Sequence, residues 1–363
     1  MTTSHGPFND IVNKATNPYQ DFEDSLLLPD KDSLAKEFEF GEPSGEPSRV
    51  EQMAERFSWK RTFLNCWTGW PNHGKTQFLT YMAYIKARSD NWKFGIWSPE
   101  MISSAKDPTT KKVRKNANDI FNDLAFSHLG KPPYKNFAER YQLERPELIE
   151  YMEAIDFISS RFIIFNPHDR RYKSLLDNFK FWHDKHDFDG WILDPFKSIK
   201  HETNERFDLY LDDMFADMKD FCIDTNSVMN IVAHPKAITK VKADDGAFTV
   251  CSQFDLSGGA AWNNGMDSIF SVYRPLVHQN VLDPNVEFYS LKMRKQHLVG
   301  KVGVVKSIKY DYTKNRYYFD GHCPIEGKLS LDFMTHGTTE RQINNGQQSQ
   351  LGFPGPGNPD IPF

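Results

Sequence analysis

Residues 69–76 read GWPNHGKT, which satisfies G-x-x-x-x-G-K-[ST] at each fixed position, Gly69, Gly74, Lys75 and Thr76. The chemistry this spacing supports is the holding of a nucleotide triphosphate. The turn from Gly69 through Trp70, Pro71, Asn72 and His73 to Gly74 lets backbone amides face inward, and they stabilise phosphates together with the N-terminus of the helix that follows. Lys75 then reaches the β- and γ-phosphates and Thr76 holds Mg²⁺, so ATP and Mg²⁺ are the implied ligands. A plain glycine-rich turn is the alternative, but it gives no reason for Lys-Thr at its end.

Two carboxylates fit such a site. Asp194 ends the apolar run GWILDP, where burying an acid without a partner is costly. At the end of a strand it can hold Mg²⁺ through water. Glu100, in IWSPEM, lies 25 residues beyond Lys75 and also just past an apolar run. There it can orient and deprotonate an attacking water. An ordinary turn aspartate before Pro195, and a helix-start acid in Ser98-Pro99-Glu100, are the competing readings.

These residues need a scaffold, and the hydrophobic patterning supplies one. The runs 62–69, 93–98, 161–166, 190–195 and 228–234 read as buried strands. Helical patterns cover 75–88, 145–160, 171–186 and 205–222; the last has Phe207, Tyr210, Leu211, Met214, Phe215 and Met218 at spacings of three and four. Alternating strands and helices predict an α/β fold with a mostly parallel sheet. Beyond residue 267 the runs SIFSVYR, VEFYSLKMRK, VGVVKSIKYDY and NRYYFD predict an antiparallel extension of that sheet. Thr313-Lys314-Asn315 is the expected hairpin turn.

The bulk properties narrow the function. The chain has 363 residues, 39% of them hydrophobic, enough for a sizeable core. A formal charge of −5 gives no global basic field, which leaves room only for local basic loops. Cys66, Cys222, Cys251 and Cys323 are scattered without a CxxC pair, so free thiols are expected. The N-terminus has no signal pattern and no apolar run approaches a membrane span, so a cytoplasmic protein is expected. Residues 1–50, with the tandem GEPSGEPS, read as a polar arm and spacer, 51–330 as the catalytic domain, and 331–363 as a disordered Gly/Pro/Gln-rich tail.

With these motifs in place the chain resembles the DnaB-like ring helicases of superfamily 4, and most of all their Twinkle and phage replicative type. FLNCWTGWPNHGKTQF resembles the Walker A segment, WSPEM the catalytic-glutamate motif and GWILDPFKSIKH the Walker B strand. MNIVAHPKAI resembles the next strand, and FDLSGGAAWNNGMDSIFSVYRP the segment leading into the following one. The resemblance implies a RecA-type core, and a hexameric ring with ATP sites between subunits. It makes His234 a sensor of the γ-phosphate or of DNA, although a histidine at a strand end can also simply cap a loop. A neighbouring subunit is implied to supply a basic finger from a K-x-R-like segment on a late strand. In LKMRKQHLVGKVG, Lys295 falls on the family lysine, His297 stands where the finger arginine is commonest, and Arg294 is close by. A solvated strand face is the other reading of Arg294 and Lys295.

In that architecture the stretches 197–207 and 236–248 face single-stranded DNA in the ring centre. Lys197, Lys200, Lys236, Lys240 and Lys242 are the expected contacts, repeated once per subunit. Asn264 is expected to pair with phosphate or the DNA backbone. No primase fold fits the first 50 residues, so primase is expected to be a separate protein; those residues instead suit a linker helix docking on the neighbour. The final NPDIPF resembles the acidic tip of bacterial single-stranded-DNA-binding proteins and suits docking to a replication partner. Three functions remain open: a 5′→3′ replicative helicase, viral or of a mobile element; a RecA-type DNA-dependent ATPase of recombination or helicase loading that does not unwind; and a regulatory module in which nucleotide only governs assembly.

Overall fold

The computed structural model describes residues 27–106, 113–201, 206–236 and 247–326. Two units divide between Pro43 and Ser44. In the first, α1 (Lys31–Phe40) is capped by Asp30, whose carboxylate accepts the Asp32 and Ser33 amides at 3.1 and 3.3 Å. That cap satisfies two of the orphan donors at a helix start. No residue of α1 is buried, and Leu34 and Phe38, four apart on one face, are both exposed.

The second unit contains, in chain order, β1 (Glu46–Pro47), β2 (Ser58–Trp59), β3 (Leu64–Thr68), α2 (Lys75–Asp90), β4 (Phe94–Trp97), β5 (Ser103–Lys106) and β6 (Val113–Asn116). There follow α3 (Asn118–Leu129), α4 (Lys135–Tyr141), α5 (Leu148–Arg161), β7 (Phe162–Phe165), α6 (Tyr172–His186), β8 (Gly190–Leu193), α7 (Phe207–Asp224) and β9 (Val228–Val232). The unit closes with α8 (Gly259–Gly265), β10 (Ser268–Tyr273), β11 (Asn285–Met293), α9 (Gln296–Val299), β12 (Gly303–Asp311) and β13 (Arg316–Phe319).

Nine strands form one sheet in the order β13-β12-β11-β10-β3-β9-β8-β4-β7. From β10 to β7 all neighbours are parallel; β10 to β13 are antiparallel. The expected antiparallel extension is therefore present, and its last hairpin turns between Asp311 and Arg316. The parallel strands are buried on both faces because their successive side chains feed two cores. Trp67, Ile192, Val228 and Val232 pack on the side of α2, α3 and α5, whereas Leu64, Cys66, Trp191, Leu193, Met229 and Ile231 pack on the side of α6, α7 and α8.

The chain leaves β3 through α2 to strands on one side of it, and after β9 crosses to β10 on the other side. At such a switch point the loops beyond the strand ends splay apart and leave a crevice. β3 sits there, and the GWPNHGKT loop follows it.

Two expectations need correcting. The second GEPS repeat is part of the folded unit rather than a spacer. Gly45 donates to the Leu298 carbonyl at 2.9 Å, β1 pairs with β2, and Ser48 and Val50 are buried. Glu46 and Asp90 both bind the Lys86 ammonium, at 3.0 and 2.7 Å, and Lys86 is only 1% exposed. The segment after β4, read only as connection, instead carries the two-stranded β5–β6 ribbon and the helices α3 and α4. All four cysteines are buried and free. Among the described residues no helix is long and apolar enough to cross a membrane.

Candidate active site

The turn after β3 needs glycine at both ends. Gly69 has φ +145°, and a Cβ there would lie 2.3 Å from the Val272 carbonyl oxygen. Gly74 has φ +82° and is the left-handed residue from which α2 springs. The first turn of α2 thus points its free amides into the crevice, the geometry that suits an anion. Lys75 is buried, and its ammonium donates to the Trp70 carbonyl at 3.0 Å. Burial lowers its pKa to about 8, opposed by Cys251 and Asp194 and reinforced by Lys197.

Asp194 enters a cis peptide with Pro195 at the tip of β8, and its amide donates to the Trp97 carbonyl at 2.9 Å. It is 5% exposed. Burial raises its pKa to about 6, although Thr76 donates to the carboxylate and Lys75 attracts it. Thr76 and Asp194 thus form one hydrogen-bonded pair, which is the arrangement a Mg²⁺ ion held directly by the hydroxyl and through water by the acid would use. Among the described residues no group of three or more His, Cys, Asp or Glu could enclose a metal by itself. The donor set therefore fits a cation that also takes phosphate oxygens, as Mg²⁺ does.

Glu100 and His234 complete the group. Glu100 is exposed at the tip of β4, one strand beyond β8, and pairs with Lys197 at 2.9 Å. His234 follows β9, which lies between β3 and β8. Burial lowers its pKa to about 4, helped by Lys75 and Lys197, so the ring is neutral at pH 7. Lys75, Thr76, Asp194, Glu100, Lys197 and His234 are thus gathered on one edge of the sheet. A cavity of about 240 Å³ lined by Lys197, His201, Tyr210, His234 and Trp262 adjoins it.

The loop's variable residues are also in use. His73 is 1% exposed, and its Nδ1 accepts the Arg274 amide at 3.0 Å. The proton therefore resides on Nε2, which is buried without a partner among the described residues. Burial, then Lys75 and Arg274, lower the His73 pKa to about 4. Pro71 and Asn72 are exposed at the loop's crest, where the Asn72 carbonyl accepts from Arg274 at 3.3 Å.

Other expected site residues are placed differently. Lys197, expected on DNA, stands in the phosphate group beside Glu100, because the turn after Pro195 folds it back towards β4. Lys200 and Lys236 are exposed, while Lys240 and Lys242 lie outside the described residues, as does the NPDIPF tip. Asn264 cannot reach its own chain's phosphate loop. It precedes β10, which runs parallel to β3, so it sits at the opposite edge of the sheet. Arg294 is at that edge too. It bonds Asp267 at 3.1 Å and the Asn264 carbonyl at 2.9 Å. Lys295 is not on the strand: β11 ends at Met293, and Lys295 is the left-handed residue that opens the short α9, with His297 inside that helix.

Sequence reasoning passed over Lys292. Lys292-Met293-Arg294 itself spells K-x-R, and Lys292 and Arg294 share a face two residues apart. Both hold the C-terminal end of α8, Lys292 through the Asn263 and Met266 carbonyls. Arg274 was also missed; nothing in its run SIFSVYR marks it as a loop partner.

No protein-family profile matches the chain, and no curated protein matches it in sequence. Its fold, however, is that of solved helicase ATPase domains. One such structure, an isolated helicase ATPase domain, matches with a TM-score of 0.60 at 16% identity, over 86% of this chain and 99% of that one. A DnaB-like replicative helicase, described with its interactions with primase, matches with a TM-score of 0.63 at 18% identity, over 85% of this chain and 73% of that one.

Proposed function

We propose that this RecA-like chain is an ATP-dependent replicative DNA helicase that translocates 5′→3′ on single-stranded DNA as a hexameric ring. The observation that carries the reading is the convergence of Lys75, Thr76, Asp194, Glu100 and His234 beyond the ends of adjacent strands. Lys75 and the amides of α2 bind and orient the β- and γ-phosphates. Bound Mg²⁺ supplies charge neutralisation of the phosphates, held by Thr76 and steadied by Asp194. Glu100 takes the proton of the attacking water. Lys197 keeps Glu100 ionised and aimed, and neutral His234 senses the γ-phosphate through a ring nitrogen.

Each site is completed by a neighbour. Lys292 and Arg294 lie at the edge of the sheet away from their own phosphate loop, as a pair reaching into the next subunit would. The exposed Leu34 and Phe38 of α1 suit a linker helix docking on that neighbour. Lys200, Lys236, Lys240 and Lys242 line the path of the strand. The likeness to a helicase described with primase supports a separate primase as partner, and the NPDIPF tip suits a further replication protein.

One observation favours a second reading, a DNA-dependent ATPase that does not unwind. The Arg294 guanidinium is engaged by Asp267 of its own chain, so finger action requires that bond to open. ATP turnover on poly(dT) separates the cases. Mixing Arg294→Ala with Lys75→Ala subunits should restore turnover only where an intact loop faces an intact finger. Full turnover by Arg294→Ala and by Lys292→Ala alone would remove the trans-finger assignment.

A further inference from the structure

The stretch between His234 and Ala247 is tied to the phosphate loop at both ends, and the second tie is specific to this sequence. At the first end, His234 lies in the field of Lys75, and the Lys236 amide donates to the Asp255 carbonyl at 2.9 Å. At the second, the Trp70 indole donates to the Thr249 carbonyl at 2.6 Å. The Phe248 ring lies 5.7 Å from Trp70 and 5.9 Å from His73, ring centre to ring centre. Tyr273, at the end of β10, donates its hydroxyl to the Phe248 carbonyl at 2.7 Å. Cys251 lies 3.4 Å from the Thr68 hydroxyl, directly under the loop.

Two of the four variable positions of the phosphate-loop motif, Trp70 and His73, thus commit large buried side chains to residues 248 and 249. The motif itself asks for no side chain at either position. The same Trp70 also accepts the Lys75 ammonium on its carbonyl, at 3.0 Å. A phosphate that takes up the Lys75 ammonium competes directly with that carbonyl. The Trp70 peptide then loses a charge-assisted bond while its indole still grips Thr249.

We propose that Phe248 and Thr249 form a latch that couples phosphate binding in the loop to single-stranded DNA binding by the stretch that begins at Lys236. The inference rests on the helicase reading and adds the route of regulation within it. Phosphate shifts Trp70; Trp70 and His73 carry Phe248 and Thr249; the DNA-facing stretch is repositioned. Because a coupling free energy is reciprocal, DNA bound there tightens or loosens nucleotide by the same factor. Phe248 and Tyr273 act here as positioning residues and touch neither ligand.

The test is a linkage cycle on the full chain. The Kd of a fluorescent dT oligonucleotide is measured by anisotropy with Mg²⁺, with and without a non-hydrolysable ATP analogue. In the wild type the two values should differ by about tenfold, within the usual range of allosteric coupling. Phe248→Ala, and Tyr273→Phe, which removes one hydroxyl and keeps the ring, should each bring that ratio below about threefold. Both should keep the nucleotide-free DNA Kd and the DNA-free ATP turnover within about twofold of wild type. An unchanged ratio in both variants, or a wild-type ratio of one, overturns the latch. A wild-type chain that hydrolyses ATP yet binds no oligonucleotide under either condition removes the DNA reading, and the latch with it.

Discussion

Gly69→Ala isolates what the phosphate loop requires of its backbone. The new Cβ would lie 2.3 Å from the Val272 carbonyl oxygen, about 1 Å inside an ordinary contact, and 3.2 Å from the Lys75 side chain. A backbone carbonyl inside a central sheet cannot step aside as a flexible side chain can. The methyl therefore adds an overpacking cost of about 1–3 kcal/mol. The left-handed φ of +145° adds about 1–2 kcal/mol for any residue with a Cβ. Together these predict a loss of about 2–5 kcal/mol. Gly74→Ala is the internal control. Its φ of +82° carries the same conformational cost, but its nearest neighbour is the Tyr317 hydroxyl at 3.5 Å, so about 1–2 kcal/mol is expected. Urea unfolding of both variants, followed by binding of a fluorescent ATP analogue, reads the difference. Gly69→Ala should be the less stable of the two and should lose nucleotide binding at least tenfold. Equal stabilities, or a Gly69→Ala protein with wild-type nucleotide affinity, would refute the reasoning.

Three further outcomes follow from charge and burial. Because burial raises the Asp194 pKa to about 6, Mg²⁺-dependent ATP turnover should fall as pH drops through 6, and Asp194→Asn should abolish turnover with no such pH dependence left to see. The folded pKa of His73 is lowered to about 4 from an ordinary 6.5. Its stabilisation is complete above about 6.5 and is lost as pH falls towards 4, so the unfolding free energy lost between pH 7 and pH 5 should shrink by about 2 kcal/mol in His73→Gln. An unchanged pH dependence in chemical unfolding would contradict this. Lys86→Ala should cost about 3–5 kcal/mol, since it leaves Glu46 and Asp90 without their shared buried cation; a change under about 1 kcal/mol in the same assay would show that the second GEPS repeat is not held as described.

The parallel core was legible because each of its strands is a continuous apolar run ended by a polar or glycine residue. Such runs specify strands whatever the tertiary context. The order of strands was not, because apolar runs carry no signal for which neighbour they pair with; it emerged from the crossover between β9 and β10. The β5–β6 ribbon escaped notice because SSAK and VRKN are polar and do not alternate. The second GEPS repeat was misread because composition favours a spacer, while its retention depends on distant partners, Lys86 and Leu298. In the site, Lys75, Thr76, Asp194 and Glu100 were legible because their chemistry demands fixed types beside strand ends. Lys197 was assigned to DNA because a lysine's partner is decided by the turn after Pro195, which brings it to Glu100. Phe248 gave no sign at all: an aromatic residue beyond a polar stretch has no spacing that would point to Trp70.

The most direct measurement is unwinding of a forked duplex with ATP and Mg²⁺, comparing wild type with Lys75→Ala. Removing the Lys75 ammonium deletes the buried cation aimed at the phosphates and leaves the DNA-facing lysines in place. Strand separation by the wild type and its loss in Lys75→Ala, with oligonucleotide binding retained, is the predicted result. A wild-type protein that hydrolyses ATP on single strands yet never separates the fork, or a Lys75→Ala protein that unwinds as well as wild type, would contradict it.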